Sequence, residues 1–163
     1  MSNEKTEGQD GLVEVTVEIQ TEGDPRNVPG LSHKACPGLA VTMHPFGIFQ
    51  VTQIKTGLKL CGLYQRASKA ILAMSWWALI ADMEGQSWED IGVAEASVMI
   101  SKASDKPVPF DDCTSTSKGV TRKMNVGEWF QHQRIPLFDE FPWEERDPLE
   151  LAISNLEKIE VPA

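Results

Sequence analysis

The apolar run from Ala70 to Ala81 restricts the fold of this chain more than any other feature of its sequence. Ser75 is its one polar residue, and from Leu63 onward apolar residues recur at three-, four- and seven-residue steps, the spacing of a helix. A helix that is apolar nearly all round is buried in a core or in an interface. At twelve residues the run is also shorter than the ~20 that span a bilayer, so we expect a central helix in a soluble protein.

Runs of β type on the N-terminal side of this helix predict an antiparallel sheet. In residues 12–20 valines and an isoleucine alternate with polar residues, the period of a strand with one buried face. Residues 39–46, 47–54 and 58–64 are further β-type runs, and we expect the last two to form a hairpin turning at 55–57 with a left-handed glycine. The predicted fold is α+β, a small antiparallel sheet of about four strands packed on one long central helix.

Turn-forming residues predict where regular structure stops. Residues 22–38 hold three prolines and three glycines and predict a long loop. Ser87 and the acids after it predict an N-cap, and for the stretch that follows we favour a helix. Residues 103–127 predict a long connector, with a short strand near Val120.

These features divide the chain into four parts. Residues 1–11 are a flexible lead-in, and residues 12–102 form the α+β core domain. Residues 103–147 form an extended connector and an acidic aromatic arm. Residues 148–160 form a terminal amphipathic helix, because Asp147 is a good N-cap before a proline and one apolar stripe follows.

Three cysteines at wide spacing fit reduced thiols better than a disulfide framework. The first 22 residues have neither a basic start nor a continuous apolar run, so we expect no signal peptide. With no transmembrane segment predicted either, the expected location is cytoplasmic or otherwise intracellular. The composition would suit a viral or bacterial accessory factor.

The net charge of −9 conceals a segregation of charge along the chain. The 57 residues between Asp24 and Asp82 hold no acid, whereas both ends of the chain are acidic. Four bases on the predicted hairpin and helix start are therefore candidate contacts to an anion or to nucleic acid: Lys55, Lys59, Arg66 and Lys69. The competing interpretation is a solvated face that the acidic flanks balance in space.

Residues 135–146, IPLFDEFPWEER, form the acidic aromatic arm. Its two prolines exclude a continuous helix or a central strand. Bulky rings and acids alternate in it, and they are the candidate partner-binding residues: Leu137, Phe138, Asp139, Glu140, Phe141 and Trp143. Two other hypotheses are that the arm packs on its own domain and that it covers the basic face of its own chain.

Trp76, Trp77 and Ile80 put apolar surface on more than one side of the central helix. A single sheet covers only one side, so the other side needs the arm, the terminal helix or a second copy of the chain. These three residues are therefore the candidate homo-oligomer interface.

A metal centre is a weaker hypothesis. His33 and Cys36 form a His-x-x-Cys pair, and His44 follows, but a four-ligand site needs a second close pair that the chain lacks. No glycine-rich phosphate loop is present, so no cofactor is implied.

These patterns favour a non-enzymatic interaction or accessory protein, which docks onto a larger macromolecular assembly through the arm and an exposed apolar surface. The alternative is a nucleic-acid-binding protein whose acidic tail competes with the nucleic acid. A small enzyme or zinc protein centred on His33, Cys36 and His44 is the third hypothesis.

Overall fold

A computed structural model describes residues 11–44, 46–134 and 147–159, without the side chains of His44 and Arg134. Four antiparallel strands form the main sheet in the order β1-β2-β3-β4. They are β1 (Leu12–Ile19), β2 (Arg26–His33), β3 (Leu39–His44) and β4 (Ile48–Gln53). Four helices accompany the sheet, so the α+β class and the four-stranded antiparallel sheet are confirmed.

The prediction of a long loop at residues 22–38 is wrong. Strand β2 lies within this range and pairs with β1 along its whole length. Pro29 lies opposite Thr16 of β1 but outside the β2–β3 pairing, which involves only Gly30 and Leu31 of β2. The missing N–H of Pro29 therefore removes no bond of that ladder. Gly30 allows close approach of β3, since a Cβ there would lie 3.1 Å from the Val41 carbonyl oxygen.

The prediction of a strand at residues 58–64 is also wrong, because only two isolated bridges join this segment to β4. Thr52 pairs with Lys59 and Phe49 pairs with Tyr64. Tyr64 lies five residues after Lys59, whereas their partners in β4, Phe49 and Thr52, are three residues apart. The extra residues therefore bulge out of the ladder. The turn before this segment does have the left-handed glycine, with φ 68° at Gly57.

The helices are α1 (Ala67–Met83), α2 (Val93–Ala103), α3 (Val126–Arg134) and α4 (Pro148–Leu156). Every residue of α1 from Ala70 to Ala81 is buried, as the all-round apolar pattern predicts. Residues 88–90 form a turn, and α2 begins only after Gly92, whose N–H donates to the Glu95 carboxylate.

The segment expected to be an extended connector contains regular structure. Strands β5 (Thr114–Ser117) and β6 (Val120–Lys123) form a two-stranded hairpin, which includes the strand expected near Val120. Helix α3 follows directly. Lys118 and Gly119 both have positive φ in the two-residue loop, the backbone that suits the twist of a tight hairpin.

Helix α4 begins at Pro148 as expected and ends at Leu156, four residues before the expected end. The Asp147 carboxylate caps it by accepting the Leu149 N–H at 2.9 Å. It packs on α1, where the Asn155 side-chain amide donates to the Ser75 hydroxyl at 3.1 Å. The one polar residue of the apolar run therefore serves to hold α4.

Aromatic side chains cover both sides of α1 within the chain. Trp129 of α3 packs edge-on against Trp76 and Trp77, with ring centroids 6.2 and 4.8 Å away. Phe110 packs against Trp76, and Trp88 packs against Trp77, both at 5.8 Å. These rings belong to one hydrophobic core that includes residues of the sheet and of all four helices. In the described residues, no helix is long and apolar enough to cross a membrane.

Replacing Gly57 by Ala should destabilise the protein more than replacing Gly85 by Ala. The two glycines have almost the same φ, 68° and 67°, but only at Gly57 would a Cβ clash, 2.5 Å from the Glu18 carbonyl oxygen. We expect Gly85→Ala to lose about 1 kcal/mol from backbone strain and Gly57→Ala about 3 kcal/mol. Urea unfolding measures both, and equal losses would contradict the close approach of Gly57 to β1.

Candidate functional site

An open groove with a volume of about 530 Å³ lies between helix α2 and the segment 58–61. We call it the α2 groove. Val93, Ala96 and Ile100 line it on the helix side, and Leu58, Leu60 and Cys61 line it on the other. Trp77, Trp88 and Phe130 also line it and join it to the aromatic core.

The aromatic residues of the α2 groove are fixed by packing and by hydrogen bonds. Trp77 packs edge-on against both Trp88 and Phe130. The Trp88 indole N–H donates to the Trp77 carbonyl oxygen at 2.9 Å. The Trp77 indole N–H is buried and has no acceptor among the described residues, which costs about 1–3 kcal/mol. The groove is thus built on a preformed part of the core.

Gln53, at the end of β4, fixes the loop that leads into α2. Its buried amide donates to the carbonyl oxygens of Trp88 and Ile91, at 2.8 and 2.6 Å. Thr56 in the adjacent turn donates to the Gln53 side-chain oxygen at 3.0 Å. The start of α2 and the Gly57 turn are therefore held by one side chain, which sets the position of the helix relative to the segment 58–61.

The backbone N–H and C=O groups of Lys59 point away from β4. Its neighbours make the bonds to β4: the Leu60 N–H donates to Val51 at 2.8 Å, and the Leu58 carbonyl accepts from Gln53 at 2.9 Å. In such an antiparallel pair, the N–H and C=O of the residue between them point the other way. Within the described part of the chain, these two groups of Lys59 have no hydrogen-bond partner.

Apolar side chains are exposed at the rim of the α2 groove. Val93 is 59% exposed and Leu58 is 42% exposed, on opposite walls. Among the residues that line the groove, Lys59 and Cys61 are the ionisable ones, and neither a carboxylate nor a histidine is present. The surface therefore combines exposed apolar area with one positive charge.

The four candidate anion contacts have different neighbours. Lys55 donates to the Asp90 carbonyl oxygen at 2.7 Å, and Lys59 lies exposed at the α2 groove. Arg66 is the N-cap residue of α1, and Lys69 lies in its first turn, where its charge acts on the Cys113 thiol. Of the four, Lys59 is the one that lines the α2 groove among the described residues.

The candidate interface residues Trp76, Trp77 and Ile80 are buried within the chain. The Trp76 indole N–H donates to the Asp112 carboxylate at 2.7 Å. The terminal helix α4, one of the expected covers, packs on α1, and Trp129 and Phe110 from the expected connector cover the tryptophan rings as well. These side chains therefore offer no exposed surface to a second copy.

The proposed arm residues Leu137, Phe138, Asp139, Glu140, Phe141 and Trp143 lie outside the described residues. The prediction that they bind a partner stays a prediction.

The candidate metal ligands do not converge in the described structure. The His33 Nδ1 accepts the Ala35 N–H at 3.0 Å. Cys36 is fully buried, and burial raises the pKa of its thiol far above the usual value, which disfavours the thiolate that binds metal. The His44 side chain lies outside the description. Among the described residues, no group of three or more His, Cys, Asp or Glu is placed to hold a metal ion.

Comparison of the chain with protein-family models, with curated proteins and with solved structures found no match.

Of the residues that line the groove, the sequence singled out Lys59, as a candidate anion contact, and Trp77, as a candidate interface residue. Val93 and Ile100 are seven residues apart, a spacing that marks one face of a helix but does not tell whether that face is covered. The strand expected at residues 58–64 does not indicate that Leu58 and Leu60 line a groove.

Iodoacetamide should modify Cys61 before Cys36 and Cys113 in the native protein. Burial raises the pKa of both the Cys36 and the Cys113 thiols, and Asp112 raises that of Cys113 further, whereas half-buried Cys61 lines the groove. Mass mapping of peptides after brief labelling measures the order. In urea all three should react at similar rates, and native labelling of Cys113 ahead of Cys61 would contradict the assignment.

Proposed function

We propose that this chain is a non-enzymatic interaction or accessory protein that docks onto a partner protein of a larger assembly. The α2 groove is the exposed apolar surface through which it docks, and the arm at 135–146 is a second, acidic contact. The observation that carries the proposal is a groove of half-buried Leu60, Ile100 and Phe130 with exposed Val93 and Leu58 on facing walls.

The physical properties of the groove support binding of a protein side chain. Trp77 and Trp88 are buried beneath the groove and held by ring packing and a hydrogen bond, so the groove needs little ordering when a partner binds. Bulky apolar side chains that enter such pockets are the usual anchors of protein interfaces. The exposed valine and leucine at the rim add apolar area that a partner removes from water.

The lining of the groove favours binding over catalysis. General acid–base chemistry needs a positioned proton donor or acceptor, most often a histidine or a carboxylate. The groove lining, as described, contains neither. Lys59 and Cys61 are its ionisable groups, on one wall.

The sequence of the arm supports its role as the second contact. Phe138, Phe141 and Trp143 are large anchors, and Asp139 and Glu140 lie between them. Acidic residues around aromatic anchors steer a segment towards a basic surface of a partner and raise the association rate.

The substitution Val93→Glu should strongly weaken the binding of partner peptides, whereas Val98→Glu should not. Val93 and Val98 lie on the same helix and are similarly exposed, at 59% and 53%, but only Val93 lines the α2 groove. Random linear peptides selected by display on the unmodified protein are the probes. We expect Val93→Glu to weaken their binding at least tenfold, which corresponds to the loss of a hot spot, and Val98→Glu to leave it within about twofold.

Failure to enrich any peptide, or equal binding by both variants, would contradict docking through this groove. Circular dichroism should show that both variants remain folded, since both positions are exposed.

Nucleic-acid binding through Lys55, Lys59, Arg66 and Lys69 is the second proposal. It is favoured by the exposure of Lys55 and Lys59 on either side of the Gly57 turn, within the acid-free part of the chain. Binding of this kind weakens steeply with salt because it releases counterions.

A gel shift with single- and double-stranded DNA and RNA at low and high salt tests this alternative. Lys55→Glu with Lys59→Glu should lose the complex, whereas the control pair Lys102→Glu with Lys118→Glu, also exposed, should keep most of it. Absence of any complex at low salt would exclude the alternative, and so would equal binding by the two pairs.

A further inference from the structure

The segment 58–61 has unpaired backbone groups at Lys59, which indicate the kind of partner segment that the α2 groove binds. This segment pairs with β4 through Leu58 and Leu60, and just before it the Gly57 carbonyl accepts the Gln20 N–H at 3.0 Å. The backbone N–H and C=O of Lys59, between Leu58 and Leu60, point away from β4 and have no partner among the described residues. An unpaired edge of this kind is a template for another extended chain.

We propose that the α2 groove binds an extended peptide segment of the partner protein, which adds to the sheet by pairing its backbone with Lys59. The segment carries a bulky apolar side chain that packs on the half-buried Leu60, Ile100 and Phe130, with an acidic residue next to the Lys59 ammonium group. This inference rests on the proposed function and specifies the chemistry of the partner.

The dimensions of the two walls fit this arrangement. The three steps from Leu58 to Cys61 span roughly 10 Å in extended conformation, at about 3.3 Å per residue. The face of α2 from Val93 to Ser101 spans about 12 Å, at 1.5 Å per residue. An extended peptide of about four residues therefore fits between a strand edge on one side and a helix on the other. Its side chains alternate, so that one faces the aromatic rings while its neighbours face outward.

Charge complementarity selects an acidic segment. Lys59 is the one charged side chain among the described residues that line the groove, and no carboxylate there would attract a basic peptide. The Lys59 side chain is exposed, so its contribution is a rim interaction that depends on salt. The backbone pairing, in contrast, is shielded between two walls and depends little on salt.

Two substitutions at one position separate the backbone from the charge. Lys59→Ala removes the ammonium group and keeps the N–H, whereas Lys59→Pro removes both. Neither change removes a bond to β4, because those bonds use the Leu58 carbonyl and the Leu60 N–H. With the display-selected peptides as probes, we expect Lys59→Ala to weaken binding a few-fold at low salt and little at high salt. Lys59→Pro should weaken it about tenfold further at either salt concentration.

N-methylated versions of the same peptides test the pairing on the unmodified protein, in case Lys59→Pro perturbs the fold. Methylation blocks one backbone N–H at a time. Strand addition predicts that binding is lost when the one N–H that donates to the Lys59 carbonyl is methylated, and kept when either neighbouring N–H is methylated.

The outcomes distinguish the inference from the proposed function. If Val93→Glu abolishes binding but neither Lys59→Pro nor methylation of any single peptide N–H affects it, the groove binds a partner and the strand addition is wrong. If no peptide is enriched, both are wrong. If sedimentation of the full chain without peptide shows a dimer that Val93→Glu dissociates, the occupant is a second copy and the inference is overturned.

Discussion

The burial of α1 on every side is the constraint on which the rest of the structure depends. An apolar helix with Trp76 and Trp77 on adjacent positions cannot be covered by one sheet, so other parts of the chain must close around it. Trp129 contacts both tryptophans, and Phe110 and Trp88 extend the cover on either side. The packing of one ring of α3 between two rings of α1 therefore ties the C-terminal half of the chain to the sheet.

Buried polar groups determine where the surrounding elements attach to this core. Ser75 accepts a hydrogen bond from Asn155, which anchors α4, and Gln53 binds two carbonyl groups of the loop before α2. A buried polar group that loses its partner costs more than the bond itself contributes, so such contacts select one arrangement of the elements over others. The distance between α2 and the sheet edge, and with it the width of the α2 groove, follows from the Gln53 contacts.

The candidate site and the core share residues. Trp77 and Trp88 belong to the hydrophobic core and also line the α2 groove, so the binding surface is an opening into the core rather than a loop structure. Such a surface is rigid before a partner binds, which lowers the entropic cost of association. The same arrangement limits its chemistry, since the aromatic and aliphatic lining supplies apolar contact and a single ammonium group.

The sequence by itself determined the elements whose pattern is local. The apolar periodicity of α1, the alternation of β1, the Asp147 cap of α4 and the left-handed Gly57 all follow from neighbouring residues, and the structure has each of them. The tertiary structure alone decided the features that depend on distant residues. Strand β2 forms despite Pro29 because β1 pairs with it, and Trp129 covers α1 although its segment was expected to be an extended connector. The α2 groove is of the same kind, because the exposure of Val93 depends on what packs against α2, and hydrophobic periodicity marks an apolar face without showing what covers it.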